Sequence, residues 1–302
     1  MNRKIYMIEK TLKIAVAVPC QLGESPVWDD RQHCLHFVDI LSAHIYSYYP
    51  ADKSVKVTTV NDPVGAIVPC QDGRFLAATS SGIYYITLPQ GQQEFLLQPE
   101  PHTPNNRYND GKVDSSGRLW IASMHLEEQE EKGAMYVVYP DLSSKKVLDN
   151  TTISNGLDWD KADNIFYHVE SGDATIRRFA YDKIQVGIHD MQPIVTFQED
   201  EGVPDGMTLD SEGMIWVAHF GGGCVTRRNP ENGEVLAKIE LPVKQVTSCV
   251  FGGKQMNDLY ITTAAKGLTE AELAEQPEAG FTFVLEDLPY RGLKPNKFVQ
   301  IV

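Results

Sequence analysis

Four short stretches place a carboxylate or carboxamide beside turn-forming neighbours at the head of an apolar run. They are Gly23-Glu24-Ser25-Pro26, Arg107-Tyr108-Asn109-Asp110-Gly111, Ser154-Asn155-Gly156-Leu157 and Pro204-Asp205-Gly206-Met207. The carboxylates of Glu24 and Asp205 and the amide oxygens of Asn109 and Asn155 make a hard-donor set. Such a set suits Ca²⁺, Mg²⁺ or Mn²⁺, and holds Zn²⁺ when water fills the remaining positions. Taken singly, each pair is ordinary turn chemistry, because Asn-Gly and Asp-Gly favour tight turns. At one equivalent position of a repeat, all four would converge on a shared metal or polar-ligand site.

The repeat is carried by six aromatic-rich runs whose anchors are Leu35, Phe75, Leu119, Ile165, Ile215 and Leu259, at intervals of 40 to 50 residues. A period of that length, with several short β-rich runs per unit, marks propeller blades. Turn residues precede the aromatic run, as in Asp114-Ser115-Ser116-Gly117, Asp160-Lys161-Ala162-Asp163 and Asp210-Ser211-Glu212-Gly213. A third strand follows, such as Ala134-Met135-Tyr136-Val137-Val138, and then an outer strand such as 234–241. Four strands in each of six units predict an all-β, six-bladed β-propeller spanning residues 1–302 as a single domain. Counting back ten residues from Leu119, Ile165 and Ile215 reaches Asn109, Asn155 and Asp205. Eleven from Leu35 reaches Glu24, the extra residue fitting a longer turn at residues 29–33. Inner strands line the central channel, so these positions form one ring at its mouth.

The one convincing helical stretch is 268–275, an insertion in the last unit that Pro277 ends. The strand at residues 11–18 is expected to complete the blade containing 281–285 and so close the ring. A formal charge of −14 and a sequence pI near 5.0 disfavour nucleic acid and anionic membrane surfaces as partners. The longest apolar runs, such as 14–18, are too short to span a bilayer, and the start of the chain shows no secretory pattern. A cytoplasmic monomer is expected. The five cysteines contain no Cys-x-x-Cys pair and read as buried apolar fillers. His125, His168 and His219 follow their anchors along what would be an inner strand and read as hydrogen-bonded core histidines. The run 127–131 reads as a solvated acidic loop, and Gly221-Gly222-Gly223 as a hairpin, since no helix follows it.

These motifs, in this order, resemble the senescence-marker-protein/gluconolactonase/luciferin-regenerating-enzyme family over essentially the full length. The resemblance rests on residues 22–28, 106–114, 153–159, 204–213 and 246–253. It implies a six-bladed propeller, one divalent metal at the channel mouth and hydrolysis of sugar lactones. By motif, Glu24, Asn155 and Asp205 would be the metal ligands, while Arg107 and Asn109 would contact substrate oxygens. Glu127 stands where some relatives place a substrate-binding acid, although His125 and Leu126 depart from the small or acidic residues expected there.

Lactone opening needs a polarised carbonyl, an activated water and a stabilised oxyanion, and a divalent metal supplies the first and last. Asp205 is then the general base. The expected activity is therefore metal-dependent hydrolysis of a sugar lactone to its aldonic acid. Hydrolysis of other esters or phosphotriesters, and noncatalytic calcium binding, are the competing readings.

Overall fold

The computed structural model describes residues 6–8 and 10–301 of the 302-residue chain. It contains six antiparallel sheets, each four strands deep from the axis outward, forming a six-bladed β-propeller. Blade 1 is Gly23–Asp29, Cys34–Asp39, His44–Tyr49 and Ser54–Thr59; blade 2 is Val64–Pro69, Phe75–Thr79, Gly82–Thr87 and Gln92–Leu97. Blade 3 is Asn106–Val113, Leu119–His125, Gly133–Val138 and Ser144–Thr151; blade 4 is Ser154–Trp159, Ile165–Glu170, Thr175–Asp182 and Gly187–Thr196. Blade 5 is Val203–Leu209, Ile215–Phe220, Cys224–Arg228 and Val235–Glu240, with Tyr6–Met7 added in parallel at its rim. Blade 6 is Val246–Gly252, Asp258–Thr263 and Thr282–Leu285, and its outermost strand is Lys13–Val16 from the other end of the chain. The first strand of each blade contacts that of the next, and blade 6 contacts blade 1, so the inner ring is closed.

Burial follows from this stacking. Second strands are covered on both faces by neighbouring blades, and Leu119–His125 is buried at every position. Outer strands such as Ser144–Thr151 are exposed over most of their length. Between the blades sit the largest enclosed side chains, among them Trp120, Trp216, Phe37, Phe75, Phe166 and Phe251. All five cysteines are buried and free.

The hairpins between first and second strands share one device. Asp114 Oδ1 accepts the N–H groups of Ser116 and Arg118 at 2.9 and 3.0 Å, and its Oδ2 accepts Trp120 Nε1 at 3.0 Å. Asp210 repeats it, taking Glu212 N, Met214 N and Trp216 Nε1 at 2.9, 3.0 and 3.0 Å. A side chain that satisfies its own turn's orphan donors explains why acidic residues head these turns.

The helix covers Glu270–Glu275, shorter than the 268–275 stretch, because Thr269 is its N-cap and Glu272 closes a capping box. Gly221–Gly223 links two strands of blade 5. The run 286–301 crosses the far end of the propeller, where Phe298 N donates to Pro69 O and Val299 N to Gly117 O.

His125, His168 and His219 lie on second strands rather than inner ones, and all three are buried. His168 Nε2 meets Ser154 Oγ at 2.5 Å, and His219 lies between Glu201 O and Thr226 Oγ1. Burial pushes His168 down to about 3, and His36 and His219 to about 4. Their native pKa values lie below the unfolded value near 6.5, so their contribution is complete above pH 6.5 and is lost as pH falls from there towards 4. The histidine contribution to stability should therefore shrink as pH falls through that window, opposed there by the raised carboxyls of Glu24, Asp110 and Asp205. Urea unfolding between pH 8 and 5 checks this, and His168→Gln should lose less stability than wild type as pH falls across that range.

Candidate metal centre at the channel mouth

Each inner strand is interrupted at the same depth. In blade 3, Tyr108 pairs with Ser123 and Gly111 with Ile121, so Asn109 and Asp110 oppose one residue. Blade 4 does the same at Asn155 and Gly156, and blade 5 at Asp205 and Gly206. In blade 1 the interruption lies at Ser25 and Pro26, one residue past Glu24. A β-bulge turns side chains off the alternating faces of a strand, so the bulges aim these groups at the axis. The glycines follow from crowding. A Cβ on Gly156 would lie 2.4 Å from Met207 N, and one on Gly206 would lie 2.1 Å from Ser248 Oγ.

The ring positions meet through hydrogen bonds across blades. Asn109 Nδ2 donates to Asn155 Oδ1 and to Ser154 O, both at 2.9 Å. Asn155 Nδ2 donates to Ser171 Oγ at 2.8 Å, and Ser171 Oγ donates to Pro204 O at 2.6 Å. Arg107 is buried and donates to Asn109 Oδ1 at 2.6 Å and to Tyr108 O at 3.1 Å. Glu24 and Asp205, both buried, stand within hydrogen-bonding reach of one another. Four of the six residues singled out from the sequence therefore share one ring, with Arg107 attached to it through Asn109.

Burial pushes the Glu24 carboxyl well above its ordinary value, with Asp205 and Asp110 adding repulsion. Asp205 is pushed up by burial and then by Asp110. Arg107 is lowered to about 10 by burial and remains a cation at neutral pH, yet it only partly offsets the negative charge. Buried like charges in contact are unfavourable without a cation or a shared proton between them. The donor set of Glu24, Asp205 and the second lone pair of Asn155 Oδ1 fits an oxygen-preferring divalent ion.

Beneath the ring lies a cavity of about 390 Å³, lined by Ser25, Asp110, Lys112, Asp158 and Ser248 among others. Lys112 Nζ pairs with Asp158 Oδ2 at 2.7 Å, and Asp158 Oδ2 also accepts Leu209 N at 3.0 Å, tying blades 3, 4 and 5. Burial pushes Asp110 up to about 6.

Above the ring, Lys266 of blade 6 reaches across to Glu128 of the opposite blade 3, Nζ to Oε1 2.6 Å. Lys266 lowers the pKa of Asp205 and Glu128 raises that of Arg107, which places this pair over the site. Glu127 is exposed; its carboxylate accepts Gln129 Nε2 at 3.2 Å, and its N–H donates to His125 Nδ1 at 3.2 Å. Because an exposed ion pair contributes about 1 kcal/mol or less, Lys266→Met should leave the melting temperature within a few degrees of wild type. It should speed amide exchange selectively at residues 126–131, and unchanged exchange would show that the pair does not restrain the loop.

Residues 22–265 match the family described as SMP-30/Gluconolactonase/LRE-like region. The chain belongs to this family. It is 36% identical to regucalcin of Oryctolagus cuniculus over 296 residues, covering 95% of this chain and 99% of that protein. A solved luciferin-regenerating enzyme superposes with a TM-score of 0.90 at 29% identity, covering 97% of this chain and 100% of that one. A gluconolactonase from Xanthomonas campestris shares the fold, with a TM-score of 0.75 at 19% identity and coverage of 92% and 90%.

Within this SMP-30/gluconolactonase-like chain, motif matching left several contributors unnoticed. Lys112 and Asp158 each lie three residues past a ring position, and Thr208 stands at the corresponding point of blade 5 and also lines the cavity. That spacing was a readable signal. Ser171 and Lys266 carry none, because each reaches the ring from outside the repeated inner strand.

Proposed function

We propose that the protein is a metal-dependent lactonase that opens a sugar lactone to the aldonic acid. The observation that carries this reading is the contact of two buried carboxylates, Glu24 and Asp205, beside the Arg107–Asn109 pair at the channel mouth. Simple cation storage has no need of the buried guanidinium. Glu24, Asn155 and Asp205 would hold one divalent ion, Ca²⁺, Zn²⁺, Mn²⁺ or Mg²⁺. Bound there, the ion would polarise the lactone carbonyl and stabilise the charge that develops on its oxygen.

The chain's own groups do the rest. Arg107, fixed by Tyr108 O and Asn109 Oδ1, presents its remaining N–H donors to substrate oxygens. Asn109 donates to Asn155 Oδ1, which orients that amide oxygen. Asp205 accepts the proton of the attacking water as the new C–O bond forms. The ring C–O bond then breaks, and the proton passes from Asp205 to the departing ring oxygen. Glu127, on the exposed loop above, is assigned the outer part of the substrate. Among the described residues no helix is long and apolar enough to cross a membrane. Our reading is of a cytoplasmic monomer acting on a small molecule, with neither nucleic acid nor membrane as partner.

The test is acid release, followed by pH-stat, from a panel of aldonolactones. Metal-stripped protein is supplied singly with Ca²⁺, Mg²⁺, Mn²⁺ or Zn²⁺. Turnover should appear only on metal addition. Hydrolysis confined to simple esters or phosphotriesters would replace the substrate assignment, and metal binding without any turnover would favour the calcium-binding reading.

A further inference from the structure

Blade 1 departs from the hairpin device of blades 3 and 5. Strand register places His36, opposite Val27, where blades 3 and 5 have Trp120, opposite Lys112, and Trp216, opposite Thr208. The two indoles donate to their turn aspartates at 3.0 Å. An imidazole is shorter, and His36 Nε2 stops 4.0 Å from Asp29 Oδ2, beyond hydrogen-bonding distance. Cys34, opposite Asp29, directs its sulfur into the gap, with Sγ 3.2 Å from His36 Nε2. Carboxylate oxygen, thiol sulfur and imidazole nitrogen then lie within 4.8 Å of one another, all on buried residues.

We propose that Asp29, Cys34 and His36 form a second metal site, selective for Zn²⁺, at the far end of blade 1 and separate from the oxygen-lined centre at the mouth. Three observations support it. Mixed carboxylate, thiolate and imidazole ligation is a zinc donor set, and tetrahedral bonds to these atoms put the donors about 3.3–3.6 Å apart. The 3.2 and 4.0 Å separations bracket that range, and the sulfur-to-carboxylate separation lies within 4.8 Å. His36 Nδ1 meets Ser47 Oγ at 2.8 Å, the outer hydrogen bond that orients a metal-bound imidazole and leaves Nε2 free to ligate. Asp29 keeps an oriented carboxylate through Arg31, whose N and Nε lie 2.9 and 3.1 Å from Oδ1.

Without the ion, Cys34 Sγ and His36 Nε2 meet at 3.2 Å. Burial pushes that thiol up to about 12 and the imidazole down to about 4, so both stay neutral at pH 7. Binding forms the Zn–S bond and releases the thiol proton to solvent. The imidazole is already in its ligating form. The fourth position falls to water.

Cobalt distinguishes the two centres, because only a cysteine thiolate gives the near-ultraviolet sulfur-to-Co²⁺ charge-transfer band. Wild-type protein titrated with Co²⁺ should develop that band and, with Zn²⁺, retain one more equivalent per chain than Cys34→Ser. The band should persist in Asp205→Ala and vanish in Cys34→Ser. Ser47→Ala should weaken zinc binding about 10- to 100-fold through the lost outer hydrogen bond. Absence of the band from saturated wild-type protein would overturn the proposal whether or not any variant folds, and so would its survival in Cys34→Ser. Neither result depends on lactonase activity.

Discussion

Asp205→Ala should lower lactone turnover by at least about 10³-fold, since a general base alone contributes about 10²–10⁴ and the change also removes a metal ligand. Loss of activity by misfolding predicts something different. Asp205 sits buried beside Glu24 and is repelled by Asp110, so its removal takes a costly buried carboxyl out of the metal-free protein. The metal-free variant should therefore melt at or above the wild-type temperature while its metal affinity falls sharply. Thermal denaturation with and without added divalent ion, beside pH-stat rates, separates these outcomes. A variant that remains metal-loaded and active would remove Asp205 from the mechanism.

Deletion of residues 1–18 should abolish cooperative folding rather than fray an end. Within that segment, Lys13–Val16 pairs with Thr282–Leu285, Val16 is buried in the blade 6 core, and Lys13 reaches Glu286. Burying a valine is worth about 1.5–3 kcal/mol and each ladder hydrogen bond about 0.5–1.5. Their sum is comparable with a domain's whole stability of about 5–15 kcal/mol. The truncated chain should show no cooperative thermal transition, and a melt matching the full-length protein would show that blade 6 stands without this strand.

Much of this architecture was legible because a propeller repeats its chemistry with its geometry. Turn acids such as Asp114 and Asp210 announced the hairpins, and the constant distance from ring residue to anchor placed Asn109, Asn155 and Asp205 at one depth. The extra residue counted in blade 1 appears as a one-residue offset of Glu24 from its bulge. Bulges themselves have no spacing signal, since the same Gly-containing dipeptides serve ordinary turns. The histidines are buried and hydrogen-bonded as expected, but the sequence misplaces their strand for a related reason. A residue three to six places past an anchor looks the same whether its strand faces the channel or a neighbouring blade. The two-residue strand Tyr6–Met7 is too short to carry a pattern. The Lys266–Glu128 pair joins loops of opposed blades 138 residues apart, where no periodicity applies.

The pairing of Lys13 with Val284 also fixes an order of events during synthesis. About 270 further residues must follow before Lys13–Val16 can meet Thr282–Leu285. Closing a loop of about 270 residues costs about 5 kcal/mol of chain entropy by the logarithmic estimate. The four antiparallel strands of each of blades 1 to 5 are consecutive in sequence and can form as they leave the ribosome, whereas those of blade 6 cannot. The nascent protein therefore passes through an open arc with two unpaired inner faces, a state prone to association with other chains. Its yield should depend on temperature and expression rate more steeply than the stability of the finished ring would suggest.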